Sequence, residues 1–292
     1  KTVRELERQT KALAKAMKVV GLMNVQFAVT KNRAAGENDI YLIEVNPRAS
    51  RTVPFIAKAS GVPVAKIAAW LMSGQKLSAP DIAPLLKGMP DELTAVKAPV
   101  FPFSRFSGVD PVLGPEMKST GEVMGIDKDM AQAFAKSQIG AGTMLPTKGN
   151  VFLSVRDRDK DALIPLAQEL YEMGFKLIAT SGTCDHLTKA GLKVERINKV
   201  MEGHPNILDA VINGDIDFII NTAKTVQSVV DNTSIRRMAL TYKIPHYTLI
   251  SAAKARLQAI RAMQDREFEV KSLQEYFPSA EDDEPLAQAA NG

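Results

Sequence analysis

The order of apolar and polar positions changes character along the chain. Leu6, Leu13 and Met17 lie seven and four residues apart, one stripe of a 3.6-residue period. Residues 3–19 therefore read as an amphipathic helix, which Gly21 stops. Residues 24–30 and 40–46 are extended runs. The polar, glycine-containing segment between them predicts a long-looped β-hairpin. Residues 54–74 return to helical spacing, broken at Gly61-Val62-Pro63, with Pro63 in the first turn of the second piece. Residues 75–100 show little periodicity. After them, 100–106 reads as a strand, 106–125 as a loop punctuated by Gly and Pro, 128–138 as a short helix and 140–149 as an interdomain linker.

From residue 150 strands and helices alternate. Strands are expected at 151–155, 175–180, 194–198, 217–221 and 246–250, and helices at 160–173, 184–190, 207–212, 234–242 and 252–263. Repeated β-then-α units with short links imply a parallel sheet covered on both faces. The fold class is α/β. An antiparallel sheet with helices fills 1–140, a parallel-sheet domain of Rossmann type fills 150–270, and 271–292 is a flexible tail. That tail carries Glu281-Asp282-Asp283-Glu284, a composition of solvated termini.

Composition narrows the class. At 292 residues the chain has room for two domains, and 45% hydrophobic with 24% charged residues is ordinary for a soluble protein. A single cysteine, Cys184, excludes an intramolecular disulfide framework and any multi-cysteine zinc site. It also fits a reducing, cytoplasmic compartment. The net charge of +4 is spread along the chain, so neither nucleic acid nor membrane is expected as a partner. The chain starts at Lys1 inside a helical pattern, which suggests a piece of a longer protein.

Two constellations carry chemistry. In the first, Glu44, Asn46 and Arg48 alternate along Leu42-Ile43-Glu44-Val45-Asn46-Pro47-Arg48. A strand has period two, so Glu44 and Asn46 share a face while Ile43 and Val45 take the other. Two oxygen donors ~7 Å apart on a rigid strand suit a hard divalent cation. Gln26 on the facing strand adds a third polar contact. Arg48 and Arg51 offer fixed-fork guanidiniums suited to phosphate oxygens. A sheet with one wet face explains the same spacing without any ligand.

In the second, Thr180-Ser181-Gly182-Thr183 joins a strand to a helix. Helix-start N–H groups, hydroxyls and a permissive glycine form an anion seat. Lys160, Lys199 and Asn221-Thr222 also fall at the carboxyl ends of parallel strands, the edge where open α/β sheets bind ligands. The competing reading is helix capping by Ser181 and Thr183 with surface lysines.

The chain also resembles a known family. The blocks Gly21-Leu22-Met23-Asn24-Val25-Gln26-Phe27-Ala28 and Tyr41-Leu42-Ile43-Glu44-Val45-Asn46-Pro47-Arg48-Ala49-Ser50-Arg51-Thr52-Val53-Pro54-Phe55 look like the end of an ATP-grasp domain. More narrowly they resemble the second synthetase half of carbamoyl-phosphate synthetase large subunits. So does the run Gly108-Val109-Asp110-Pro111-Val112-Leu113-Gly114-Pro115-Glu116-Met117-Lys118-Ser119-Thr120-Gly121-Glu122-Val123-Met124-Gly125. The resemblance implies that Gln26 and Glu44 hold ATP through Mg²⁺ or Mn²⁺, with Asn46 as a further metal ligand. It implies catalytic roles for Arg48 and Arg51 on phosphate or carbamate, K⁺ as a further cofactor, and ATP-driven phosphorylation of carbamate to carbamoyl phosphate for pyrimidine and arginine synthesis. A glutaminase small subunit and a homo-oligomer are the implied partners. Most of the family's nucleotide pocket lies upstream of residues like these, so this chain alone is expected to be inactive. The segment joining the extended runs is longer than the family's.

Leu153-Ser154-Val155-Arg156, Gly174-Phe175, Ala179-Thr180-Ser181-Gly182-Thr183, Asn198-Lys199-Val200, Ile220-Asn221-Thr222 and Ser234-Ile235-Arg236-Arg237 resemble the methylglyoxal-synthase-like regulatory domain of the same subunits. That likeness implies an allosteric nucleotide, UMP or in some members IMP, gripped by Lys160, Thr180, Thr183, Lys199 and Asn221, with Ser154 and Thr222 nearby. Ala223 replaces a frequent second threonine. Ala98 stands where ornithine-activated members carry a glutamate, and Tyr247-Thr248 keeps only part of that pocket, so ornithine control is expected to be weak or absent.

Other residues read as structural. His186, His204 and His246 have no metal-type spacing, Cys184 and Trp70 read as packing, and the methionines form no stripe. A free-standing nucleotide-sensing or assembly module is an alternative function. A lyase of the methylglyoxal synthase kind would need catalytic aspartates, and Asp185 is the only one near the loop.

Overall fold

The computed structural model describes residues 1–31, 38–86, 90, 92–105, 113, 116–222, 229–265 and 269–277. Backbone contacts divide the chain into two compact units, 1–91 with 270–292, and 92–269.

In the first unit, α1 (Thr2–Ala16) leads to an antiparallel hairpin of β1 (Asn24–Lys31) and β2 (Asn38–Asn46), followed by α2 (Thr52–Ser60) and α3 (Val64–Met72). The first helix is shorter than its apolar stripe suggests. Lys18 takes a positive φ of 51° and Gly21 one of 98°, so the chain turns before Met17 can join the helix, and Met17 stays exposed. Gly61 ends α2 in the left-handed conformation, and Pro63 caps the start of α3. Val62, Ile67 and Ile82 are buried together, with Trp70 packed on them and the Lys66 ammonium 4.8 Å over its ring.

In the second unit, β3 (Thr94–Val100) pairs antiparallel with β4 (Gly121–Asp127), and α4 (Met130–Gly140) packs on them. Neither strand follows from periodicity. The strand expected at 100–106 ends at Val100, where its pairing with Gly121 ends, and a 3₁₀ turn follows at Phe103–Arg105. Residue 106 lies outside the described residues, as do most of 106–115.

Five parallel strands follow in the order β7-β6-β5-β8-β9: β5 (Asn150–Ser154), β6 (Lys176–Thr180), β7 (Val194–Ile197), β8 (Phe218–Asn221) and β9 (His246–Tyr247). Helices α5 (Lys160–Glu172), α6 (Ser181–Lys189), α7 (Ile207–Ile212), α8 (Val229–Thr241) and α9 (Ile250–Asp265) alternate with them. The sheet has two buried faces. Leu153, Leu177 and Ile220 lie in one apolar cluster, while Phe152, Ile178 and Ile219 lie in the other. The near-continuous apolar runs of a parallel sheet arise from this double burial.

The stretch 140–149, read as a linker, is pinned within this unit. The Gln264 amide and the Arg256 guanidinium of α9 donate to the carbonyls of Thr147 and Met144. Gln132 of α4 donates to Ala262 O at 3.0 Å. The compact units therefore part between Asp91 and Glu92, whereas the sequence reading parted them at 140–149. In the tail, α10 (Leu273–Tyr276) starts with Ser272 and Glu275 capping one another. Residues 278–292, including the acidic run, lie outside the described residues.

Candidate functional site

On the hairpin, Gln26 stands opposite Glu44 and Asn24 opposite Asn46. Directly opposed residues share a sheet face, so Asn24 joins the three predicted residues in a two-by-two polar patch. Reading β2 alone could not find Asn24; the register finds it. Asn46 Nδ2 donates to Glu44 Oε1 at 3.0 Å. That bond leaves the Asn46 carbonyl oxygen and the second Glu44 oxygen as acceptors. A register shift follows between Gln26 and Phe27, which sets Phe27 opposite Leu42. The bulge changes the alternation expected from β2 alone, and Ile43 is 63% exposed. Among the described residues no group of three or more His, Cys, Asp or Glu could hold a metal. The patch instead combines one carboxylate with amide oxygens, and this donor set fits a hard divalent cation. Arg48 and Arg51 both lie exposed in the turn after β2, where Arg48 Nη1 donates to Ala49 O at 3.0 Å.

The second constellation gathers at the carboxyl ends of β5, β6, β7 and β8. The helix after β6 begins at Ser181, three residues earlier than its apolar spacing suggests, so Gly182 and Thr183 lie inside its first turn. Thr180 is the N-cap residue, yet its side chain makes no cap hydrogen bond. Its hydroxyl instead meets Ser154 Oγ at 3.1 Å. Ser181 and Thr183, the residues of the capping reading, lie inside the helix, and Thr180, which does stand at the N-cap, does not cap it with its side chain.

Four hydroxyls at this edge have traceable partners. Thr183 Oγ1 accepts from Val155 N at 3.2 Å, which keeps its own proton for an acceptor. Ser154 and Thr180 share one proton between them, so one more can be donated. Thr222 Oγ1 accepts from Arg156 N at 3.1 Å, and its hydroxyl helps to lower the Asp159 carboxyl. Thr180, Thr183, Asn221 and Thr222 are all buried. Lys160 arches over the helix start: its ammonium lies 3.4 Å from where a Cβ on Gly182 would stand. That is ordinary contact distance, so the ammonium lies beside the first turn of α6. Lys199 caps the 3₁₀ turn Val200–Glu202 after β7, at the neighbouring strand end. Ala223 lies outside the described residues.

Burial pushes the Asp159 carboxyl up, but the bonds from Arg156 and Thr222 outweigh it and hold it below the ordinary value. The Asp127 carboxyl is lowered in the same way, against burial, by the Lys136 ammonium 2.7 Å away. A carboxyl with a lowered folded pKa binds fewer protons folded than unfolded, so its contribution is complete above the unfolded value and is lost as pH falls through the folded one. Both groups predict a stability that is flat above about pH 5 and drops below about pH 4. Urea unfolding from pH 7 to pH 2.5 checks this, and Asp159→Asn should flatten part of the acid limb.

The remaining candidates have structural partners. Asp185, the residue a lyase would need, is ion-paired with Arg196 on the outside of the sheet edge, both side chains more than half exposed. Cys184 is buried, its sulfur 3.8 Å from Val194 O. His186 lies 3.1 Å from Asp161, and His204 2.6 Å from Asp209.

Known proteins match both regions. Residues 1–80 match the family described as carbamoyl-phosphate synthase L chain, ATP binding domain, and residues 162–248 match the MGS-like domain. The carbamoyl phosphate synthase large chain of Mesorhizobium japonicum is 51% identical over 279 residues, 94% of this chain and 23% of that relative. The one from Archaeoglobus fulgidus is 49% identical over 276 residues, 94% of this chain and 25% of that relative. The chain thus spans about a quarter of the length of the curated relatives it matches. A solved methylglyoxal synthase from Elizabethkingia anophelis is 18% identical, covers 46% of this chain and 93% of its own, and gives a TM-score of 0.33.

Proposed function

We infer that this chain, which corresponds in sequence to one segment of a carbamoyl phosphate synthase large chain, combines a metal–ATP edge with a domain that senses a nucleotide phosphate. In the whole protein the reaction is phosphorylation of carbamate by ATP. Gln26, Glu44 and Asn46 hold Mg²⁺ or Mn²⁺ there; such an ion neutralises charge on adjacent phosphates. Arg48 and Arg51 hold phosphate or carbamate oxygens, as a loose phosphoryl-transfer transition state requires. The glutaminase small subunit, K⁺, a homo-oligomeric state and a cytoplasmic location belong to the same reading.

The observation that carries the sensing function is the seat over α6. Lys160 stands above Gly182, Thr183 keeps a donor proton, and the helix N-terminus is free of side-chain capping by Thr180. A phosphate monoester matches these donors, and UMP is the proposed effector. Buried Ala98 presents no carboxylate to an ammonium group, so ornithine control is weak or absent on this reading.

Thermal unfolding with UMP tests the assignment. Binding to the folded state alone, at a hundredfold excess over Kd, adds about 2.7 kcal/mol, or about 5–10 °C for a unit of this size. Lys160→Ala and Lys199→Ala are each expected to remove most of that rise. No rise with UMP or IMP, or a rise that survives both substitutions, overturns it.

A further inference from the structure

Both lysines of the seat are already occupied. Lys160 Nζ lies 3.1 Å from Asp157 Oδ1, and Lys199 Nζ 3.4 Å from Glu202 Oε1. Each pair is separated by three residues and flanks a 3₁₀ turn, Asp157–Asp159 in one case and Val200–Glu202 in the other. A 3₁₀ turn has three residues per turn, so side chains at i and i+3 stand one above the other. The same geometry thus sets a carboxylate beside an ammonium after β5 and again after β7.

The pairs differ in depth. The Lys160 side chain is 19% exposed while Asp157 is 68% exposed. The lysine is largely enclosed, and the carboxylate lies mostly in water. Glu202 is held more firmly, because its other oxygen accepts from Lys199 N at 2.9 Å. That bond, followed by the charge of Lys199, keeps its carboxyl below the ordinary value.

We propose that Asp157 and Glu202 are internal competitors of the phosphate, setting the affinity of the seat by occupying its two lysines until a ligand displaces them. The proposal rests on the sensing function inferred above and adds its affinity-determining residues. A phosphate entering the seat meets lysines whose charge is locally offset, so it gains only the difference between its own contacts and the carboxylates'. Because Coulomb energy scales with the product of the charges, removing either carboxylate helps a dianionic monoester more than a monoanionic diester. The pairs are partly solvated, and exposed ion pairs are weak, so each neutralisation should act within about one order of magnitude.

Calorimetric titration of the whole chain with UMP and with the methyl phosphodiester of UMP tests this. Asp157→Asn and Glu202→Gln are each expected to tighten UMP about three- to tenfold, and the diester less. Asp161→Asn serves as control, since it removes an equal charge one turn away that touches His186 rather than a seat lysine. Equal tightening by Asp161→Asn would show a general field effect and overturn the proposal. Unchanged or weaker UMP binding in both test variants would also overturn it, weaker binding marking the carboxylates as supports that position the lysines. If the parent chain and all variants ignore UMP, the sensing function fails and this proposal falls with it. If the parent binds and the variants match it, only this proposal falls.

Discussion

Gly125→Val is expected to unfold the 92–269 unit at temperatures where the parent is native. A Cβ at this position would lie 1.9 Å from Ala133 O and 2.5 Å from Ser137 N, both backbone atoms of α4. Strand β4 and helix α4 meet backbone to backbone here, with Gly125, Ala133 and Ser137 all buried. Side-chain rotation cannot relieve a clash with backbone, so the helix must move off the strand and abandon the bond from Gln132 to Ala262. The cost should reach at least about 3 kcal/mol, a fall of about 6–12 °C or more for a unit of this size. Even Gly125→Ala should lose most of that, since the first carbon makes the collision. Calorimetry on both variants checks it; a Tm within 2–3 °C of the parent would show that α4 and β4 can separate freely.

The opposite sign is expected at Arg256. This side chain is fully buried within the same unit. One guanidinium nitrogen donates to Met144 O, and the group lies 5.8 Å from the Tyr247 ring, but its Nε and Nη1 have no hydrogen-bond partner. Burial lowers its pKa from the ordinary arginine value to about 10. At neutral pH the folded state therefore carries a charge it would rather shed, at a cost of about 3 kcal/mol. Arg256→Met has similar length and no charge to desolvate. It gives up one hydrogen bond and a ring contact, each about 1 kcal/mol. A net gain of about 1–2 kcal/mol follows, or about 3–6 °C. The sign also follows from linkage. The folded pKa is below the unfolded one, so the parent gains stability as pH rises above about 10, and the variant should lack that gain. A Tm for Arg256→Met clearly below the parent's would mean that the hydrogen bond and the ring contact of this guanidinium outweigh its desolvation.

Gly125 and Arg256 mark where pattern reading stops. Glycines at 121 and 125 read as loop punctuation, yet both lie in β4, and Gly125 is there because a helix backbone passes against it. Arg256 lies in a predicted helix, with nothing in its own neighbourhood to say that it would be enclosed. The tail of α1 tells the same story, since Met17 fits the apolar stripe and still ends exposed past the helix end.

Much else was legible before any coordinates. Alternating strand and helix units from residue 150 dictate a parallel sheet, because strands apolar on both faces must be covered on both. The shared face of Glu44 and Asn46 follows from the period of a strand, and the gathering of Lys160, Thr180, Thr183, Lys199, Asn221 and Thr222 at one sheet edge follows from chain direction, whereas Ser154 came only with the family resemblance. Those are local properties: spacing, propensity and chain direction lie within a few residues of each other. What needed the folded chain was every relation between distant segments. Pairing register brought Asn24 to Asn46, and backbone contact set the unit boundary at Asp91. Two 3₁₀ turns put a carboxylate against each lysine. Such relations depend on distances across tens of residues, which packing fixes and no local pattern encodes.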